Sequence, residues 1–382
     1  MKRGSTATFL ALLVTLFLLG SPPVQAASWQ VVSSPSPGTN FNDLNGVTVV
    51  SANNVWAVGI YDSTSTQTLI EQWNGTSWQV VSSPDPGTTD NSLNGVAAVN
   101  ASDIWTVGSY QNGSSPSQTL IEQWNGTSWQ VVSSPDVGMD YNQLVGVVAI
   151  RATNIWAVGY TRNSSGTDQT LIEHWNGKSW KIIPSPDAGT GSNFLNGVAA
   201  VSSTNIWAVG SYQNSNGTNQ ALIEHWNGKS WQVVSSPDTG TVPNQLSGVA
   251  AVSASSIWAV GYSGAPSSPP TQTLTEHWNG KSWKIVPSPD PGTIQNSLIG
   301  VTAISGSNLW AVGAYANNNT AGQTLIEHWN GKSWKTVPSP NAGTAQNFLN
   351  SVAAVSSSNL WAVGSYANIN NSPVQTLTEE YS

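Results

Sequence analysis

One phrase recurs seven times along this 382-residue chain, and that repeat limits the possible folds more than any other property. The tryptophan of the Ile-Trp-Ala-Val-Gly phrase falls at Trp56, Trp105, Trp156, Trp207, Trp258, Trp310 and Trp361, at steps of 49 to 52 residues. A second series follows serine: Trp29, Trp78, Trp129, Trp180, Trp231, Trp283 and Trp334. A third precedes Asn-Gly: Trp73, Trp124, Trp175, Trp226, Trp278 and Trp329. Together the three series use all 20 tryptophans.

Each unit holds four short apolar runs. In one unit they are residues 195–201 (LNGVAAV), 206–212 (IWAVGSY), 221–226 (ALIEHW) and 230–234 (SWQVV). Runs this short, rich in Val, Ile, Trp and Ala, have strand length and fall short of a typical helix. Asn227-Gly228 between the last two runs suggests a type I′ hairpin turn, which needs positive φ at both residues. Strict alternation of apolar and polar residues is missing, as expected for strands covered on both faces. The expected fold is all-β: a seven-bladed β-propeller with four antiparallel strands per blade, forming a single domain over residues 27–382. The repeats begin with a fourth-strand phrase (residues 28–32) and end with a third-strand phrase (residues 376–381). The N-terminal strand, anchored by Trp29, should therefore pair with residues 377–381 and close the ring, which covers two blade faces that would otherwise be open.

Residues 1–26 read as an address. Lys2 and Arg3 precede an apolar run from 9 to 19, and Val24-Gln25-Ala26 offers small residues for cleavage near Ala26. This order is that of a secretory signal peptide, and the run is shorter than the roughly twenty residues a membrane span needs. The expectation is a protein that is secreted, extracellular or on the cell surface, monomeric, and without a stable membrane anchor. Such a chain enters a compartment where disulfides can form, yet it has no cysteine, so its stability must come from packing.

Composition removes several functions. Charged residues are 8% of the chain, against about 25% in ordinary globular proteins. The 11 basic residues are dispersed and the net charge is −8, which excludes a phosphate-neutralising stripe and hence nucleic acid as partner. The absence of cysteine excludes thiol catalysis and Cys-ligated zinc or iron–sulfur sites. No Gly-rich phosphate loop opens a helix. No cofactor is expected.

The blade phrase "GVAAVSSTNIWAVGSY…LIEHWNGKSWQVVSSP" resembles kelch-type repeats and the propeller of galactose-oxidase-like proteins. The shared features are an aromatic residue before a strand-two glycine, a Glu two residues before a third-strand aromatic, and a Trp shortly after. The resemblance spans residues 28–381. One feature differs: Gly59, Gly108, Gly159, Gly210, Gly261, Gly313 and Gly364 are each followed by Ile, Ser, Tyr or Ala where kelch repeats have a second glycine. The chain lacks the residues for galactose-oxidase or sialidase chemistry. Galactose-oxidase chemistry needs a Tyr–Cys cross-link. Sialidase chemistry needs three arginines, and only Arg151 and Arg162 follow the leader.

Glu71, Glu122, Glu173, Glu224, Glu276, Glu327 and Glu379 recur once per blade. Catalysis needs a residue once, and folding needs it in every blade, so these carboxyls are expected to bond backbone N–H or Ser/Thr groups near the blade rim. His174, His225, His277 and His328 follow four of them, one blade apart, a separation unsuited to sharing a metal. Asn42, Asn91, Asn142, Asn193, Asn244, Asn296 and Asn347 should stabilise the loops between blades, or else form seven equivalent polar pockets. The loops joining strands two and three vary in length and wording. They share a face with the interblade loops, and variable loops on a rigid scaffold are where specificity sits. Blade three breaks the symmetry with Met139, Asp140, Tyr141, Arg162 and Asp168, a candidate ligand-binding patch on that face, with Arg151 on the opposite one. The function expected is a non-enzymatic binding or adhesion module for extracellular glycans or proteins. The alternatives are a polysaccharide hydrolase or lyase with its site at the central channel, and a purely structural ring.

Overall fold

Short β-branched and aromatic runs, punctuated by Asn, Gly and Ser, fold as strands. The computed structural model describes residues 27–137, 140–237, 242–265, 270–318, 321–369 and 373–382. The leader expected over residues 1–26, and Met139, lie outside these. Among the described residues every regular element is a strand, and the strands form seven antiparallel sheets of four. Blade four is representative, with strands Asn193–Ser202, Asn205–Gln213, Asn219–Trp226 and Trp231–Val233 in that order across the sheet.

The ring closes as the sequence suggested. Trp29–Val32 is the outermost strand of the seventh sheet, with Trp29 opposite Tyr381 and Val32 opposite Thr378. The hairpin between strands three and four differs from expectation. Trp226 pairs with Trp231, so four residues make the turn and a two-residue type I′ loop does not form. Gly228 takes the positive φ (89°), while the Asn227 side chain accepts from the backbone N–H of Lys229 and Ser230 at 2.9 and 3.1 Å. The asparagine thus serves as a side-chain cap on a wider loop.

The core is divided into seven clusters, one at each interface between blades. Each is built on the same triad. The strand-two tryptophan of one blade packs against the strand-three and strand-four tryptophans of the next. Trp56, for example, lies 5.0 Å from Trp124 and 5.5 Å from Trp129, in an edge-to-face arrangement with the latter. Seven triads need twenty-one rings. Tyr381 is the twenty-first, joining Trp29 and Trp310 at the closure.

Candidate functional site

The repeated glutamates and histidines are buried or half-buried within the ring. All seven strand-three glutamates are buried in blade interfaces. Ser185 donates to Glu224 Oε2 (2.6 Å), Ser236 to Glu276 (2.8 Å) and Ser339 to Glu379 (2.9 Å), in each case from the preceding blade. The same serines meet a threonine of their own blade: Ser185 with Thr170 at 2.9 Å and Ser339 with Thr324 at 2.7 Å. A serine partner is thus present for these three, across the interface instead of at the rim, whereas the carboxyl oxygens of Glu71, Glu173 and Glu327 have no hydrogen-bond partner among the described residues, contrary to the expectation for all seven. Burial pushes the carboxyls of Glu71, Glu122, Glu173, Glu224 and Glu379 up to about 8 and that of Glu327 to about 9. Burial thus favours their protonated form near neutral pH.

The histidines are used one by one. Each stacks on the strand-two tryptophan of its own blade, with centroids 4.3–4.4 Å apart. His174, His225 and His328 hydrogen-bond Asn154, Asn205 and Asn308, and His277 bonds Ser256. Burial pushes all four imidazoles down. Among the described residues no group of three or more His, Asp or Glu could hold a metal ion.

The recurrent asparagines are buried, and most lock interblade loops. Asn42 Oδ1 accepts from Gly38 N–H (2.6 Å), and its amide donates to Gly38 O (3.1 Å) and Val374 O (2.9 Å). Asn296 and Asn347 repeat the pattern on Gly292 and Gly343 and reach back to Thr271 O and Gly322 O. These amides mimic backbone, so they do not make seven polar pockets.

At the axis, first strands from neighbouring blades nearly touch. A Cβ on Gly95 would lie 2.8 Å from Val145 O, and one on Gly248 would lie 2.6 Å from Ile299 O. Glycine there lets the strands converge on a central cavity of about 370 Å³. Its collar was missed in the sequence. Asn45, Asn94 and Asn196 donate to the leucine carbonyl of the next blade at 2.8–2.9 Å, and Asn350 does so across the closure at 3.0 Å. Beside it Asp43, bonded to Asn350 and Ser365, is pushed up to about 6 by burial. The signal was available: Asp43 is the one acid at its repeat position, where the other blades carry Ser, Gln or Phe.

The blade-three residues assemble on the loop-bearing end. Tyr141 lies opposite Arg162, while Arg151 sits at the other end of the same strand pair, beside Asn154. Arg162 holds Asp168 through Nε–Oδ1 (2.9 Å) and Nη2–Oδ2 (3.3 Å), and its guanidinium lies 5.9 Å from the centre of the Tyr141 ring. Tyr141 stacks on Tyr160 at 5.6 Å, and both hydroxyls donate to Gln143 Oε1. Asp168 is buried, whereas Arg162 keeps 43% of its side chain exposed. Asp140 is exposed next to them. Gln143 and Tyr160 belong to this cluster and were overlooked.

No family model matches the chain, and no curated protein does either. Its fold is shared with solved structures at low identity. YCF48 bound to a D1 peptide aligns with TM-score 0.55 and 12% identity, over 96% of this chain and 99% of that one. An ulvan lyase of polysaccharide lyase family PL25 aligns with TM-score 0.57 and 10% identity, over 92% and 93%. The GH74 xyloglucanase of Xanthomonas campestris aligns with TM-score 0.55 and 13% identity, over 92% of this chain and 55% of that one. These are propellers of several kinds, and what the chain shares with them is the seven-bladed β-propeller architecture.

Proposed function

We propose that the protein is a secreted, non-enzymatic binding module that presents the loop-bearing face of its propeller to extracellular glycans or proteins. One observation carries this reading. The repeated carboxyls are buried in the blade interfaces, the imidazoles stack within their own blades and most of the recurrent amides lock interblade loops, while Asp140, Tyr141, Arg162 and Asp168 come together on the loop-bearing face. Arg162 is the clearest case. Its partner Asp168 fixes one edge of the guanidinium, leaving an oriented, partly exposed donor beside the Tyr141 ring, suited to a carboxylate or amide oxygen. Asp140, Tyr141, Arg162 and Asp168 are therefore the proposed contact residues of blade three. Export rests on the leader-like residues 1–26. The kelch-like wording of the blade belongs to this reading too, as a family of scaffolds that carry variable loops. Solved propellers of this architecture include one described with a bound peptide and others described as acting on polysaccharide, so both ligand classes fit such a ring.

The test is a glycan-array screen of residues 27–382, with and without calcium. Saturable binding to one glycan class is expected, and Arg162→Ala should weaken binding to acidic glycans by about tenfold, the loss of one charge-assisted hydrogen bond. A folded protein that binds no glycan and captures no exported protein would remove the module reading.

A further inference from the structure

We infer that the cleft between blades five and six is a binding site for an uncharged pyranose sugar, built where Tyr262 is left uncovered beside Ser297. This rests on the glycan-binding reading and gives it a place and a ligand class.

The observation begins with a one-residue shift. Five blades carry a tyrosine two residues after the strand-two glycine: Tyr61, Tyr110, Tyr212, Tyr315 and Tyr366. Blades three and five carry it one residue after, as Tyr160 and Tyr262. Successive strand residues point to opposite faces, so the shift moves the ring to the other side of the sheet. In both blades the displaced ring sits opposite a glutamine, Gln143 or Gln245, and donates to its Oε1 at 2.7 or 3.2 Å.

The two displaced rings then differ in their surroundings. Tyr160 is covered: Phe194 of the next blade meets it edge-on at 4.8 Å, and Tyr141 stacks on it. In blade five the residue matching Tyr141 is Pro243, and in blade six the residue matching Phe194 is Ser297. Where blade three has its aromatic cover, blade five has a cavity of about 320 Å³.

Its walls suit a sugar. Tyr262 and Ile299 supply apolar surface for the C–H face of a ring. Gln245, Gln295, Ser247 and Ser297 supply amide and hydroxyl groups for sugar hydroxyls, and none of the lining residues carries a charge. The cavity also continues in two directions. Ser247 and Ile299 line the central cavity as well, and Gln245 and Tyr262 line a third cavity of about 360 Å³ that reaches Gln213 and Asn219 of blade four. An oligosaccharide has a path from the axis outward. Among the described residues that line it there is no cation for a uronate or sulfated sugar, whereas the matching place in blade three offers Arg162.

The experiment titrates residues 27–382, which carry the whole closed ring, with neutral methyl pyranosides (gluco, galacto, manno and xylo) and their linear tetrasaccharides. Saturation-transfer NMR and calorimetry read the binding. Two variants are taken from the protein's own repeats: Ser297→Phe installs the cover that Phe194 provides in blade three, and Tyr262→Ser installs the residue that blades two, four and seven carry. At least one neutral sugar should bind saturably, and each variant should weaken it at least tenfold while melting within a few degrees of the parent. If Ser297→Phe alone melts early, Tyr262→Ser decides. Binding that survives both substitutions overturns the site. A clean negative with every neutral sugar, alongside a positive glycan array, overturns the site and leaves the module function standing. A negative in both removes both.

Discussion

At the scale of single residues, the strand-two glycine shows what a repeat can hide. Its recurrence was plain in the sequence, yet a glycine with no doublet beside it has no evident task there. The packing supplies one. A Cβ on Gly210 would lie 1.9 Å from Phe194 O, and the matching glycines of the other blades face the same clash at 1.8–2.0 Å. The first strand slips register between Leu195 and Gly197, and that bulge drives its carbonyl into the space over the glycine. The φ of Gly210 is ordinary, so the constraint is proximity and not handedness. Gly217 is the opposite case, with φ of 78° and only Gln213 Nε2 at 4.0 Å. Gly210→Ala should therefore destabilise by about 3 kcal/mol or more through forced backbone movement. Gly217→Ala should cost about 1–2 kcal/mol through its φ alone. Urea unfolding of both variants checks the order, and equal losses would show that the close approach is not what selects glycine at 210.

At the scale of the element, the strand set was legible because its signal is repeated. Seven copies of one tryptophan grammar mark the same four strands each time, and the orphan phrases at the two ends are complementary. Trp29–Val32 illustrates this: four residues with no blade of their own, whose placement follows from what the last blade lacks. The turn after each third strand was misjudged because Asn-Gly fits two loops. Only the spacing of the paired tryptophans, which depends on register, separates them. The Tyr262 cleft was also beyond reach, since it depends on which side of a strand a ring emerges and on what the neighbouring blade places over it. Closure by the short strand gives a direct prediction. Trp29 is 3% exposed and contacts both Trp310 and Tyr381, so Trp29→Ala removes one ring of the closing triad. The loss should be about 3–5 kcal/mol. It should appear as lowered global stability by calorimetry, because an unlatched ring exposes two blade faces. Trp29→Tyr, which makes the pair Tyr–Tyr, should lose less. An unchanged melting temperature for Trp29→Ala would mean that the ring does not depend on its latch.

At the scale of the whole molecule, seven interfaces each enclose a glutamate, and this makes stability depend on pH with a definite sign. A carboxyl whose pKa is near 8 in the fold and about 4.5 unfolded binds a proton in the folded state across that interval while the unfolded chain has released it. Stability from these groups is complete below pH 4.5 and is lost as pH rises through 8. Burial is the main cause, and the nearby Asp85, Asp136, Asp187 and Asp290 push four of the carboxyls in the same direction. Asp43, raised to about 6, has the same sign over a lower window. The histidines oppose it: their pKa values are lowered, so their contribution is present above 6.5 and falls away in acid. Between pH 6.5 and 8.5 the glutamates therefore act with little opposition, and the melting temperature should fall steadily. The slope has a ceiling of about 1.4 kcal/mol per pH unit for each glutamate, reached only while the folded and unfolded forms differ by a full proton. Glu224→Gln supplies the control. The amide keeps an acceptor for Ser185 and never ionises, so the variant should match the parent near pH 5, exceed it at pH 8.5, and show a shallower fall between. A melting temperature that is flat or rises from pH 6.5 to 8.5 would mean that water or local opening solvates these carboxyls, and that the interfaces are looser than their burial implies.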